Sequence, residues 1–390
     1  KKVIDAAFKQ LLDADPRKAF RALTTIEHSL ESPHGLGAMG VTKDDIAKWE
    51  PGIIEALNRL EKVITENQLD PFLMVQMRGT LSTRARYDIP KIKAAASKVL
   101  DAIPATREYD IARAMADAWG WTFDREGDTI RNDELCVKWR DKLAAEVLAD
   151  YKGKQMELIE MLEDQAMRQV KAPLRSKEYG PFVAALMNQS PELTAALGEH
   201  LLKNPQSPLV GAFGIVITVL AQKQYAEAIA LAKRATETKN VVLAQCTSRA
   251  LGWSLHNIPV APVEDDVIKA LAAYDDEGVR HNITRVVKRY GEANKAAALE
   301  VLMGIRIDDS KAVADEVLSE IGKHGAFKVA DLSANHIQHL HDQLLKAQTI
   351  EDYNIETYLS DLSAEHPEQA VKLLMERVEY KEAHDDADVW

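Results

Sequence analysis

The sequence predicts an all-α fold, and three observations support this class. No segment keeps the alternation of apolar and polar residues that a half-buried strand requires. Aromatic residues make up only 6% of the 390 residues, while apolar residues make up 46%. Apolar positions recur three and four residues apart behind proline-headed helix starts. We therefore predict an α-solenoid, in which antiparallel helix hairpins stack side by side.

The stretch 207–255 is the clearest part of this pattern, because it reads as three helices joined by very short links. Ser207 is a suitable N-cap, and Pro208 then occupies the first helical position, where its missing N–H costs nothing. Helix starts near 191, 208, 225 and 240 recur about every 16 residues, or about 33 per pair, as in helix-turn-helix repeat arrays. The third helix carries Val242, Cys246, Ala250 and Trp253 at spacings of four, four and three, which predicts a buried stripe.

The N-terminal half continues the helical pattern. Asp15 and Pro16 divide a first pair of helices, and Pro51 with Gly52 should end a short helix at 44–49. Periodicity lapses at 171–176, so we predict two domains, residues 1–172 and 173–390. The predicted helices of this half are 3–13, 16–30, 44–49, 53–66, 71–87, 90–102, 106–121, 132–151 and 153–170. Those after the central stretch are 264–273, 277–290, 294–304, 309–322, 333–347, 351–362 and 367–379.

Charge and composition exclude several classes of protein. The net charge of −12 argues against non-specific electrostatic binding to the phosphate backbone of nucleic acids. Cys136 and Cys246, the two cysteines, both lie among helix-period apolar residues, which indicates reduced thiols and a cytoplasmic protein. The longest nearly uninterrupted apolar run, 209–221, is shorter than the roughly 20 residues that span a bilayer. We therefore predict no membrane segment.

The glycines of the segment 32–40 match the pattern G-x-G-x-x-G. The dinucleotide fingerprint needs a strand before these glycines, whereas here the preceding element is a predicted helix. The chain also lacks G-x-x-x-x-G-K-[ST], G-x-S-x-G, H-E-x-x-H and C-x-x-C. We therefore interpret this segment as a connector and predict no cofactor.

The segment ANHIQHLHD holds the clustered histidines of the chain. His336 and His339 share one face of a predicted helix, but His341 lies about 140° from His336 at about 100° per residue. Two imidazoles with Asp331 or Asp342 are enough donors for a metal ion, while a surface helix without a ligand explains the same pattern.

The most basic local cluster comprises Arg78, Arg84 and Arg86, followed by Lys91 and Lys93. Arginine recognises carboxylates and phosphates through paired N–H donors, so this cluster is a candidate docking surface for an acidic partner or a phosphate. A solvated helix face carries the same residues without any partner.

Two resemblances add to these observations. The segment KQYAEAIALAKRATE resembles the second half of a tetratricopeptide repeat, although Ala232 and Asn240 replace the usual aromatic residue and proline, and neighbouring pairs fit HEAT-like hairpins. The patches RARYDIPKIKAAASKVLDAIP, IARAMADAWGW and SPLVGAFGIVITVLAQKQYAEAIALAKRA resemble the C-terminal helical arrays of bacterial STAND-type NTPases, several of which act in antiphage defence. This resemblance implies a recognition or oligomerisation role, with catalysis in other parts of a longer protein, and it transfers no functional residue.

The leading hypothesis is a non-enzymatic scaffold that binds a protein partner. One alternative is a metal- or nucleotide-dependent helical enzyme that uses the glycine segment or the pair His336 and His339. The other is a structural module that packs against the remainder of a longer parent chain.

Overall fold

The computed structural model describes residues 2–30, 43–84, 89–116, 133–171, 179–254, 265–308, 310–322, 325–347 and 352–383. Twenty α-helices lie within these residues, and they contain no strand beyond one isolated bridge between Ile321 and Phe327. The predicted all-α class is thus confirmed. The chain divides into two compact units, Lys1–Ala196 and Leu197–Trp390. The predicted division after residue 172 falls outside the described residues and stays a prediction.

The first unit is built around a helix that is buried on nearly all sides. This helix, α6, is covered because Tyr109 and all residues from Ile111 to Ala116 are buried. It packs against α4, α7, α8 and α9. The helices of this unit are α1 (Lys2–Gln10), α2 (Pro16–Leu30), α3 (Lys43–Glu66), α4 (Pro71–Arg84), α5 (Pro90–Ala102), α6 (Arg107–Ala116), α7 (Asp133–Asp150), α8 (Gln155–Lys171) and α9 (Gly180–Gln189).

One expectation for this unit was wrong, and one helix was not predicted. Helix α3 runs through Pro51 without ending there. The proline removes one backbone donor, but Ile53, Leu57 and Leu60 bury one face of the same helix against its neighbours, and that packing outweighs the lost bond. Helix α9 was not predicted, since its apolar residues do not mark one side of a helix; Phe182, Val183 and Leu186 are all fully buried.

In the second unit, the main contacts between helices join helices that lie one or two places apart along the chain. Helix α13 contacts α11, α12 and α15, and α15 contacts α13, α14, α16 and α17. The helices are α11 (Phe213–Lys223), α12 (Tyr225–Glu237), α13 (Val241–Arg249), α14 (Asp265–Ala272), α15 (Glu277–Ala293), α16 (Lys295–Met303), α17 (Lys311–Ser319), α18 (Ala334–Leu344), α19 (Asp352–Glu365) and α20 (Pro367–Ala383); α10 (Pro191–Lys203) contains the division between the units.

The central stretch differs from its prediction at two places. The helix predicted to start at Ser207 begins at Phe213, because Ser207 accepts a hydrogen bond from the N–H of Leu209 and a short 3₁₀ turn, Val210–Ala212, comes first. The stripe predicted on α13 is only partly buried. Val242 and Trp253 are exposed, whereas Leu243, Ala244 and other residues one position away form the buried face.

Candidate functional site

The basic cluster predicted as a docking surface is only partly within the described residues. Arg78 lies half-buried on α4, close to the hydroxyl of Tyr109. Burial raises the pKa of that hydroxyl, and the positive charges of Arg78 and Arg113 oppose the rise. The side chain of Arg84 and the whole of Arg86 lie outside the described residues. Their role in partner binding stays a prediction.

Among the described residues, the histidine pair proposed for metal binding is not joined by a third donor. Within α18, the two ring nitrogens of His336 face Ser333, through its backbone N–H at 3.3 Å, and Glu300, at 3.1 Å. The Nε2 atom of His339 lies 2.7 Å from the amide nitrogen of Gln343. In the described part of the chain no group of three or more His, Cys, Asp or Glu side chains is placed to hold a metal ion. The glycine segment 32–40 lies outside the described residues.

A different residue, Trp253, is held in a rigid setting at the surface of the second unit. Its side chain keeps 47% of its surface exposed. The guanidinium carbon of Arg285 lies 3.7 Å from the centre of its ring, and the indole N–H donates to Oδ1 of Asn282 at 3.1 Å. An exposed tryptophan fixed by a cation and a hydrogen bond has little conformational freedom left to lose on binding.

The backbone around this tryptophan explains its position. Residues Ala250–Ser254 continue α13 as a π-helical turn, which is wider than an α-helical one and is frequent at functional sites. A side-chain carbon added at Gly252 would lie 2.7 Å from the backbone oxygen of Asn282. Glycine therefore allows the end of α13 to approach α15 closely, and this approach places Trp253 beside Arg285.

The cation that covers the tryptophan is itself held in place from α17. The Nε atom of Arg285 lies 3.1 Å from Oε1 of Glu316, and Nε2 of His281 lies 3.9 Å from Oε2 of the same carboxylate. One turn further along, burial raises the pKa of Glu320, whose carboxylate accepts a hydrogen bond from the N–H of Ala326. We name the group Trp253, Asn282, Arg285, His281 and Glu316 the Trp253 platform.

Polar contacts between α13, α15 and α17 connect the helices that carry the Trp253 platform. The amide of Asn282 donates to the hydroxyl of Ser248 at 3.3 Å. Gln245 donates to Asp276, the N-cap of α15, at 3.0 Å, while Ser310, the N-cap of α17, donates to Glu277 at 2.7 Å. Each of these hydrogen bonds joins two of the three helices, so the bonds fix the positions of the helices that carry the platform.

No protein-family model matches the chain, and no curated protein matches its sequence. None of the helices in the described ranges combines the length and the apolar content needed to cross a bilayer. The Trp253 platform offers an exposed aromatic ring held beside charged side chains. Exposed tryptophan and arginine side chains are enriched at the energetic centres of protein interfaces.

Sequence reasoning missed the Trp253 platform because it assigned Trp253 to the buried stripe of α13. A regular helix would indeed place Trp253 three residues after Ala250 on the same face. One signal was present, since Gly252 directly before the tryptophan marks a position where the backbone approaches a neighbour closely.

Proposed function

We propose that this chain is an α-solenoid scaffold that binds a protein partner through the Trp253 platform. The single observation that carries the proposal is the exposed Trp253 side chain, clamped between Arg285 and Asn282. Tryptophan and arginine are the side chains most enriched at the energetic centres of protein interfaces. A clamped ring loses less entropy on association than a free one, so more of its burial energy appears as affinity.

The packing order of the second unit supports the scaffold part of this proposal. From α11 to α17, the described helices contact the next helix, the next but one, or both. Stacked hairpins of this kind need only their neighbours for stability and leave long helix faces free for contact. The arrangement is compatible with the predicted tetratricopeptide- or HEAT-like repeats.

The resemblance to the sensor arrays of STAND-type NTPases extends the proposal to the kind of protein in which the scaffold acts. On that basis the scaffold is the recognition portion of a longer cytoplasmic bacterial protein, with antiphage defence as the activity that the resemblance implies. An upstream nucleotide-binding module in the full-length open reading frame would support this setting, and a reading frame without one would count against it.

Comparative affinity isolation tests the proposed interface. The wild-type chain and the variants Trp253→Ala and Tyr353→Ala are immobilised and exposed to native lysate, and the partner captured by the wild type is then purified for titration. Tyr353 is the matched control, since it is an exposed aromatic residue on α19 with 67% of its surface free. We expect Trp253→Ala to weaken binding at least about 10-fold, and Tyr353→Ala to change it by less than about 2-fold. Equal affinities for all three chains would contradict the proposal.

A further inference from the structure

The last helix, α20, carries a row of exposed apolar side chains. Val371, Leu374, Met375 and Val378 are exposed to 55%, 39%, 59% and 39% of their surfaces. Their spacing of three, four and seven residues places them on one side of the helix. Single exposed apolar residues are ordinary, but a contiguous row marks a contact surface. We name these four residues the α20 row.

The helix cannot bury this row by turning, because its other side is fixed. Ala370, Leu373 and Arg377 are buried, and α20 packs against α19. The guanidinium of Arg377 donates to the backbone oxygens of Leu345 and Ala347, which follow α18. Rotation of α20 would break these bonds and expose Leu373, so the α20 row stays at the surface.

The neighbours of α20 indicate which kind of structure would cover the row. Among the described helices of this unit, α12 contacts α14, α14 contacts α16, and α16 contacts α18. Apolar helix faces in this series are thus covered by another helix, packed side against side. An apolar row about two turns long, with positions three and four residues apart, matches the ridges of an amphipathic helix.

Charged side chains beside the α20 row indicate which amphipathic helices would bind it. Glu368 and Glu379 are exposed and lie about 60° to 80° around the helix from Val371, at about 100° per residue. Glu382 is also exposed and continues the row at its C-terminal end. Lys372, on the same side, is paired with Glu376 at 3.6 Å. The edge of the row is therefore acidic, and it complements a helix with a basic edge.

We propose that the α20 row binds an amphipathic helix of a partner protein that carries lysine or arginine along one edge. A second copy of this chain fits less well. Two antiparallel α20 helices would place the acidic edge that contains Glu368 and Glu379 against itself, and like charges in contact disfavour the pair. The α20 row is separate from the Trp253 platform in sequence and in residues, so neither proposal depends on the other.

Two designed peptides test this inference on the full chain. Both have 18 residues, with leucines at positions that repeat the spacing of the α20 row; one carries lysines along one edge, and the other carries glutamates. Fluorescence anisotropy at low salt is expected to show the lysine peptide binding at least about 10-fold more tightly, with a preference that shrinks as salt screens the charges.

Variants of the chain then locate the site. Val371→Ser with Met375→Ser is expected to weaken the lysine peptide about 10-fold or more, because both side chains are exposed and their loss removes apolar contact. Glu368→Gln with Glu379→Gln should remove most of the preference between the two peptides. Met167→Ser on α8, which is exposed to 41%, and Trp253→Ala should leave peptide binding unchanged.

Three results would overturn the inference. These are equal binding of both peptides, no binding of either, and binding that survives the change at Val371 and Met375. Sedimentation of the wild type as a dimer that Met375→Ser dissociates would assign the row to a second copy instead. Loss of peptide binding on Trp253→Ala would mean that the two surfaces are not independent.

Discussion

The two units of the chain differ in the groups that their arginine side chains contact. In the first unit, arginines pair with carboxylates of neighbouring helices: Arg59 covers the ring of Phe8 at 4.0 Å and pairs with Asp5, and Arg168 pairs with Asp70, just before α4, and with Glu108 in the first turn of α6. In the second unit, buried arginines reach the ends of helices. Arg280 donates to the backbone oxygen of Arg306 at 2.6 Å, and Arg377 does the same after α18.

Individual connections between helices also differ in length. In the second unit one residue, Gln224, separates α11 from α12, and one residue, Asn294, separates α15 from α16. Such short links fix each helix beside the next one. The polar backbone groups at the helix ends then still require hydrogen-bond partners. In the first unit the 16 residues 117–132 separate α6 from α7. Side-chain contacts between helices then have to determine which helices lie side by side.

The largest expected effect tests the role of the helix-end arginines. Arg377→Ala should destabilise the chain by about 3 kcal/mol, because it removes a fully buried guanidinium and the two charge-assisted hydrogen bonds that it donates to backbone oxygens. Arg168→Ala in the first unit should cost about 1 kcal/mol, since its ion pairs are partly exposed. Denaturant titrations of both variants give the comparison, and a larger loss for Arg168→Ala would reverse it.

Close helix approach in the second unit is tested by glycine substitutions. Gly252→Ala should cost about 1–3 kcal/mol, because the added carbon meets the backbone of Asn282. The control is Gly52→Ala in α3, where no atom lies within 4 Å of the added carbon. This change should stabilise the chain by about 0.5–1 kcal/mol through helix propensity. Thermal melts that show the same sign for both variants would contradict the packing described for Gly252.

A buried histidine makes the second unit sensitive to acid. Burial lowers the pKa of His341 below its usual 6.5, while Glu376 and Asp342 favour its charged form and Lys372 disfavours it. Below pH 6.5 the unfolded chain therefore binds a proton that the folded chain does not take up, and stability falls as the pH drops from 7 towards 5. In His341→Gln this fall should be smaller.

His28→Gln provides the matched control for that measurement, because His28 is an exposed residue of α2 in the first unit. Denaturation midpoints at pH 7 and pH 5 should differ by the same amount in His28→Gln and in the wild type. An unchanged pH dependence in His341→Gln would show that other groups cause the acid sensitivity.

The smallest expected effect concerns surface ion pairs, which should behave alike in both units. Arg234 pairs with Glu199 in the second unit, and Arg107 pairs with Glu146 in the first. All four side chains are exposed by about two fifths of their surface or more. Arg234→Gln and Arg107→Gln should each shift the denaturation midpoint slightly at low salt and not at all at high salt. A large shift in only one unit would show that its ion pairs are structural.

Much of the fold could be predicted from the sequence because local signals mark helix starts. Pro16, Pro191 and Pro367 all begin helices, and Asn240 and Ser310 cap helices through their side chains. The sequence could not reveal what long-range packing decides. Helix α3 continues through Pro51, the π-helical turn rotates Trp253 out of the core, and α9 packs against α6 and α7.

The Trp253 platform as a protein-binding surface is tested most directly by a photo-cross-linking amino acid placed at Arg249, an exposed residue one turn before Trp253. Illumination in native cells is expected to give one discrete adduct with a partner protein. The adduct should disappear when Trp253→Ala is added and should not form from the same cross-linker at Tyr353. An adduct that persists without Trp253, or that forms equally from Tyr353, would contradict the proposed interface.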